Sequence, residues 1–308
     1  MTSIKIFCPA TIANLSCGFD VLGLCLDGVG DEMIVKKTIE KGVRITKIVG
    51  ADLPLATEKN VAGVAALALL EATTTDFGFE IEIYKKIKAG SGIGSSAASA
   101  AGAVFAINAL LDNPFSRKEL VAFAMQGEKL ASGSAHADNV APALLGGFTL
   151  VRSYHPLDII KIESPDQMYA TVIHPQIELK TSDARSVLKQ TVSLKSAIIQ
   201  WGNVGGLIAG LYTNDYELIG RSLHDEIVEP LRSVLIPGFE AVKNAALQNG
   251  ALGSGISGSG PSIFALSKGK SIAEKVAKVM STVFDELQLP YEIHVSKINN
   301  EGIRILDN

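Results

Sequence analysis

Hydrophobic and charged residues alternate over residues 79–88, where Phe79, Ile81 and Ile83 take one side, as in a half-buried strand. The next stretch is Gly90-Ser-Gly-Ile-Gly-Ser-Ser-Ala-Ala-Ser99, followed by a helical segment to residue 111 that is almost all Ala, Gly and Ser in its first two turns. The order is strand, glycine loop, helix. Similar alternation predicts strands over 4–7, 26–37, 43–49, 146–152, 169–174, 263–266 and 291–296. Helices are predicted over 60–73, 97–111, 120–129, 196–212, 215–227, 237–249 and 271–287. Asn60 and Ser116 are N-caps, the latter in a capping box with Glu119. Thr181-Ser-Asp183 caps a short helix containing Arg185, and Pro237 opens a helix in its first turn, with Gly250 as its stop. Pro156, Asp158, Glu163, Pro165 and Asp166 cluster in a boundary segment, 153–168. Two units are expected, residues 1–160 and 161–308.

Composition narrows the function classes. A chain of 308 residues has room for two ordinary domains. Its net charge of -4 gives no basic footprint for nucleic acid, so any phosphate site must be local. Three cysteines, Cys8, Cys17 and Cys25, show no Cys-x-x-Cys pair, which suggests a reducing compartment and no disulfide framework. Lys5 and Cys8 interrupt any signal-peptide pattern, and no apolar run is long enough for a membrane span. A cytoplasmic protein without nucleic-acid or membrane partners is expected.

Glycines let a backbone turn sharply and approach a ligand closely, and the helix N-terminus behind them suits a phosphate. A tight turn before a buried helix is the other reading. The dinucleotide fingerprint fails because Ser95 stands where its third glycine should be. The P-loop fails because Ser95 and Ser96, not lysine, follow Gly94. Gly269-Lys270-Ser271 has Phe264 in place of the opening glycine and is a decoy. Residues 9–23 place Asn14 and Asp20 among small apolar neighbours. They are either turn residues or polar groups that need a ligand. Residues 128–147 hold Glu128, His136, Asp138 and Asn139 in a similar setting. No third ligand makes zinc spacing, so His136 by itself is a hydrogen-bonded structural group. Glu128 with a serine hydroxyl matches the way magnesium is held on a nucleotide. A second glycine loop, Gly253-Ser-Gly255-Ile-Ser-Gly258-Ser-Gly260-Pro-Ser262, precedes a strand and is longer than a hairpin needs.

Taken in order, residues 9–23, 90–99 and 253–262 resemble the three motifs of the GHMP kinase superfamily, which includes galactokinase and mevalonate kinase. The similarity is strongest to the branch that phosphorylates homoserine, through Asn14 with Asp20, His136-Ala-Asp-Asn139-Val-Ala-Pro142, Thr181-Ser-Asp-Ala-Arg185 and Glu229-Pro-Leu-Arg232. The resemblance implies an α+β fold in two domains, an N-terminal one like domain 2 of ribosomal protein S5 and a ferredoxin-like C-terminal one. ATP would lie between them, contacted by Lys88, Ala89, Gly90, Ser91, Gly92, Ile93, Gly94, Ser95, Ser96, Ala97 and Ala98. Ser96 and Glu128 would hold Mg2+. Asn14, Asp20, His136, Asn139, Thr181, Arg185, Arg232 and the backbone near Gly258 would hold L-homoserine. Its ammonium suits Asp20 and its carboxylate the two arginines. The implied product is O-phospho-L-homoserine, on the way to threonine. Asn139 would orient the hydroxyl, with Asp138 the alternative as a base. A homodimer is also implied. Ile93, Lys88 and Ser16 depart from the usual leucine, proline and glycine. A kinase of the same superfamily acting on a sugar or isoprenoid alcohol, or a non-catalytic sensor, are the competing readings.

Overall fold

The computed structural model describes residues 2–306. β1 (Ser3–Ala13) and β2 (Leu22–Thr38) pair antiparallel and are the spine of the first sheet. Their register shifts between Pro9 and Thr11, so the strand expected over 4–7 continues through a bulge into the first motif. β3 (Gly42–Val49), β4 (Gly78–Tyr84), β5 (Phe148–Tyr154), β6 (Leu157–Ile162) and β11 (Arg304–Ile305) complete it. The path is β11-β1-β2-β4-β3, with β5 on β2 and β6 on β5.

Helices α1 (Val61–Glu71), α2 (Ser95–Leu110) and α3 (Arg117–Ser132) pack together, and α2 lies on β1 and β2. Every residue of α2 from Ala97 to Asn108 is buried, which is why its sequence shows no polar stripe. Gly102 allows the close approach: a Cβ there would lie 2.5 Å from Cys8 Sγ. Asn60 accepts from Ala62 N, and the Ser116–Glu119 capping box forms as expected.

The second sheet has the order β10-β7-β9-β8, from β7 (Met168–Pro175), β8 (Gly253–Ile256), β9 (Ile263–Lys268) and β10 (Tyr291–Lys297). All its pairings are antiparallel. In chain order these are its first to fourth strands, with helices after the first and α10 (Lys270–Glu286) between the third and fourth. That is the ferredoxin-like βαββαβ arrangement. α9 (Phe239–Gln248) and α10 cover one face, where Phe239, Val242, Val276, Met280 and Phe284 form a separate core.

Several elements differ from their sequence-based outlines. The boundary segment holds the turn and second strand of the β5–β6 hairpin of the first sheet, and after β10 the chain returns to pair β11 with β1. The helix expected over 215–227 stops as α7 (Tyr216–Ser222). The Asp225 carboxylate then accepts from the N–H groups of Ile227, Val228 and Glu229 and starts a short α8 (Glu229–Arg232). Pro237 lies before α9, whose N-cap is Gly238 at φ 74°. The chain also forms α4 (Val140–Leu145), α5 (Thr181–Ser186) and α6 (Leu194–Thr213). All three cysteines are buried and free. Among the described residues no helix is long and apolar enough to cross a membrane.

β4 ends at Tyr84, four residues early, because the next residue turns inward. Lys85 Nζ contacts Asp31 Oδ2 and donates to Ser95 O (2.8 Å) and Ser99 Oγ (3.1 Å). Asp31 Oδ1 accepts from Lys86 N and Ile87 N. Both side chains of the pair are 2% exposed, so removing one partner strands a buried charge. Asp31→Ala is expected to cost about 3–5 kcal/mol in chemical denaturation; a loss below about 1 kcal/mol, the size for an exposed pair, would contradict that burial.

Candidate active site

The three motifs meet in a cleft of about 440 Å³, lined by residues from both sheets' connections. Gly90, Gly92 and Gly94 have φ of 74°, 83° and 71°, a left-handed conformation that side chains resist. Close packing adds a second reason for glycine. A Cβ on Gly94 would lie 2.0 Å from Thr11 Oγ1, and one on Gly92 would lie 2.6 Å from Gly260 O. No side-chain cap covers the start of α2, so its first N–H groups stay available to an anion.

The second glycine loop supports the first. Ser257 Oγ donates to Gly92 O (2.7 Å), and Ser262 Oγ donates to Ser91 O (2.5 Å). Lys88, Ser91, Ile93, Ala97 and Ala98, expected around ATP, do not line the cleft. Lys88 reaches Gln176, and the other four are buried behind the loop, where they set its shape. Ala89, Gly90, Gly92, Gly94, Ser95 and Ser96 do line it. At the far end Leu53, Val61, Leu130 and Ala131 form an apolar wall beside Lys59.

Lys85 also lines the cleft, and the sequence reading missed it. The signal was present: Lys85 continues the inward parity of Phe79, Ile81 and Ile83. Thr11, Phe19 and Ser259 were missed as well. Thr11 Oγ1 donates to Asn139 Oδ1 (2.8 Å), which fixes that carboxamide. Phe19 lies beneath both arginines, with its ring centre 5.0 Å from Arg232 Cζ and 5.7 Å from Arg185 Cζ.

Opposite charges are already paired at the other end. Arg185 Nη2 donates to Asp20 Oδ1 (3.0 Å) and Nη1 to Oδ2 (3.4 Å). His136 Nε2 lies 2.8 Å from Arg185 Nη2, so that nitrogen is the acceptor. Burial pushes the His136 pKa down, and Arg185 pushes it the same way against the pull of Asp20. Asn14 Nδ2 donates to Gly258 O (2.7 Å), while its Oδ1 accepts from Asp20 N. Asn14, Leu15, Ser16 and Asp20 all have positive φ. Asn14 and Asp20 build the turn, as one reading of this segment expected, and both also line the cleft. Arg232 is buried, donating to Ala184 O and Gly258 O. Thr181 does not cap its helix; Lys180 occupies that position, and the Thr181 hydroxyl lies 3.3 Å from Ser259 Oγ.

Two carboxyls near the glycine loop are unusually basic. Burial pushes Glu128 up to about 7, opposed by a hydrogen bond with the Ser96 hydroxyl and by Lys85. Burial, reinforced by Asp20 and Glu128, does the same to Asp138. Asp138 is held close to β2, since a Cβ on Gly23 would lie 1.8 Å from its carbonyl oxygen. Among the described residues no cluster of three or more His, Cys, Asp or Glu could hold a metal. Lys270 of the decoy motif pairs with Glu274 on the exposed face of α10, and neither lines the cleft.

Comparison with known proteins agrees with this geometry. Residues 60–147 match the family model for the GHMP kinases N terminal domain, and residues 207–286 match that for the GHMP kinases C terminal. The homoserine kinase of Chlorobium phaeobacteroides (strain BS1) is 49% identical, covering 99% of this chain and 100% of that protein. That of Xylella fastidiosa (strain M12) is 40% identical, covering 98% and 94%. The crystal structure of homoserine kinase from Cytophaga hutchinsonii ATCC 33406 superposes with a TM-score of 0.96 at 54% identity, covering 99% and 98%. The chain has the two-domain GHMP kinase fold, and it belongs to the homoserine kinases of the GHMP kinase family.

Proposed function

We propose that the protein transfers the γ-phosphoryl group of ATP to the side-chain hydroxyl of L-homoserine, giving O-phospho-L-homoserine and ADP, a step toward threonine. The observation that carries this reading is the charge pattern of the cleft. Asp20 and two arginines stand at one end, and a glycine loop with an open helix N-terminus stands at the other. An α-amino acid brings an ammonium for Asp20 and a carboxylate for Arg185 and Arg232. A neutral sugar would leave those charges facing one another. The apolar wall at Leu53, Val61 and Leu130 suits an adenine ring.

Phosphoryl transfer needs positioning and charge stabilisation more than covalent help. The α2 N-terminus places positive charge beside the phosphates, and Lys85, neutralised by Asp31, holds the start of α2 by donating to Ser95 O. Ser96 and Glu128 fit Mg2+: one carboxylate and one hydroxyl, already joined, leave the other coordination positions to phosphate and water. Bound there, the ion would neutralise phosphate charge. Asn139, fixed by Thr11, orients the substrate hydroxyl in this reading. Asp138 is the second candidate, because a carboxyl with a pKa of about 7 is suited to accept a proton. A non-catalytic sensor would have no use for the Ser96–Glu128 pair. α6 exposes Leu194, Ile198 and Trp201 and carries one charged residue, Lys195, which supports a homodimer as the working assembly.

The direct test is ADP release with Mg-ATP and L-homoserine, mevalonate or galactose. Release with L-homoserine alone is expected; release with only another alcohol would replace the substrate assignment. Asp138→Asn is expected to keep kcat within about tenfold, since loss of a general base typically costs a hundredfold or more. A drop of several orders of magnitude with unchanged KM would make Asp138 the base. The pH dependence follows from the two carboxyls. Both hold a proton more tightly when folded, at about 7 against ordinary values of 4.5 and 3.8. Their stabilising contribution is complete below the ordinary values and is lost as pH rises through 7. His136, His174 and His294 hold protons less tightly when folded and oppose this trend below their ordinary value of 6.5, so the Tm of the ligand-free protein should fall between about pH 6.5 and 8, less steeply in Asp138→Asn. The KM for Mg-ATP should fall over the same range as Glu128 ionises. A flat Tm profile would show that these carboxyls are not desolvated.

A further inference from the structure

Asn14, Arg232 and Gly258 line the cleft on one side and a second, much smaller void on the other. That void has room for about 10 Å³, the size of one water molecule. Ser16 and Glu229 also line it. Their residues are 3% and 8% exposed, and Ser16 Oγ and Glu229 Oε2 have no hydrogen-bond partner among the described residues. A Cβ on Gly255 would lie 2.5 Å from Ser16 Oγ and 2.8 Å from Glu229 Oε2. Both atoms thus lie close to one point beside Gly255, and both residues line the same small void.

The surrounding charged groups already have partners. Glu229 Oε1 contacts Lys243 Nζ. Asp225, on the same wall, accepts from Gln200 Nε2 and three backbone N–H groups. Arg232 on the same wall supplies positive charge, and both carboxylates already have donors, which disfavours a further cation. What remains is an acceptor lacking a donor and a hydroxyl that can do either, the pattern that a water molecule satisfies.

We propose that one ordered water occupies this void, donating to Glu229 Oε2 and hydrogen-bonded to Ser16 Oγ, and that it buttresses Asn14 and Arg232 from behind. Ser16 and Glu229 are then positioning residues for the amino-acid end of the cleft, an assignment that rests on the homoserine reading above. Ser16 has φ 58°, a left-handed conformation that favours glycine. Its hydroxyl is kept at the expense of backbone strain, which separates its effect on binding from its effect on stability.

Ser16→Gly removes the hydroxyl and relaxes the backbone. The expected result is an unchanged or raised Tm with a KM for L-homoserine raised roughly three- to tenfold, the size of one hydrogen bond. The values of kcat and KM for ATP should stay within about twofold. Ser16→Ala should raise the same KM without the gain in Tm. A crystal structure of the unsubstituted protein should show a water peak bonded to both atoms. No peak, a metal ion in its place, or an unchanged KM for homoserine in both variants would overturn the proposal. So would a KM rise that appears only together with a fall in Tm, because that marks a structural role. Failure of the substrate assignment is read separately, as no homoserine-dependent ADP release by the unsubstituted protein; the water peak then still decides the site.

Discussion

Backbone meets backbone where residues 90–94 cross residues 257–260, and nearly every other feature of the site depends on that contact. A Cβ on Gly92 would fall within 3 Å of both Gly260 O and Ser257 O. Hydroxyls of the second loop then bond to carbonyls of the first. With its carbonyls held from behind, the first loop can turn its glycines and the α2 N-terminus toward the cleft. The contact also joins a loop of the first sheet to the β8–β9 hairpin of the second. The amino-acid end of the cleft is built from both halves through the same hairpin, since Asn14 and Arg232 each donate to Gly258 O.

Electrostatics in the cleft follow from burial more than from net charge. The chain carries -4, yet Lys85, Arg185 and Arg232 all line the site. Each cation has a local partner: Asp31 for Lys85, Asp20 for Arg185, and carbonyls with the Phe19 ring for Arg232. Burial is the main force on Glu128 and Asp138, and it pushes both carboxyls up to about 7. A cleft arranged in this way is preorganised for ligands carrying both signs of charge. In the proposed reading an amino acid would exchange the Asp20–Arg185 pair for two pairs of its own, and a polyphosphate would meet the dipoles of the α2 N-terminus with little rearrangement.

The sequence by itself determined the elements whose causes are local. Asn60 and the Ser116–Glu119 box cap the helices expected of them, because a cap involves residues only two or three apart. The glycine loop before α2 was legible because positive φ belongs to single residues. The ordered motifs also identified Asn14, Asp20, Glu128, His136, Asp138, Asn139, Thr181, Arg185 and Arg232, all of which line the cleft. Local rules misled where a distant group competed for a hydrogen bond. Lys85 ended β4 early to reach Asp31, Asp225 divided an expected helix, and the Thr181 hydroxyl turned to Ser259 instead of its own backbone. Only the tertiary structure decided which residues face the ligand space and which support it from behind. It separated Gly90, Gly92 and Gly94 from the buried Ser91 and Ile93 between them, and it brought Asn14 to Gly258 across 244 positions of chain. Facing depends on what packs against the other side of a segment, and that partner comes from elsewhere in the chain, beyond the reach of any local pattern.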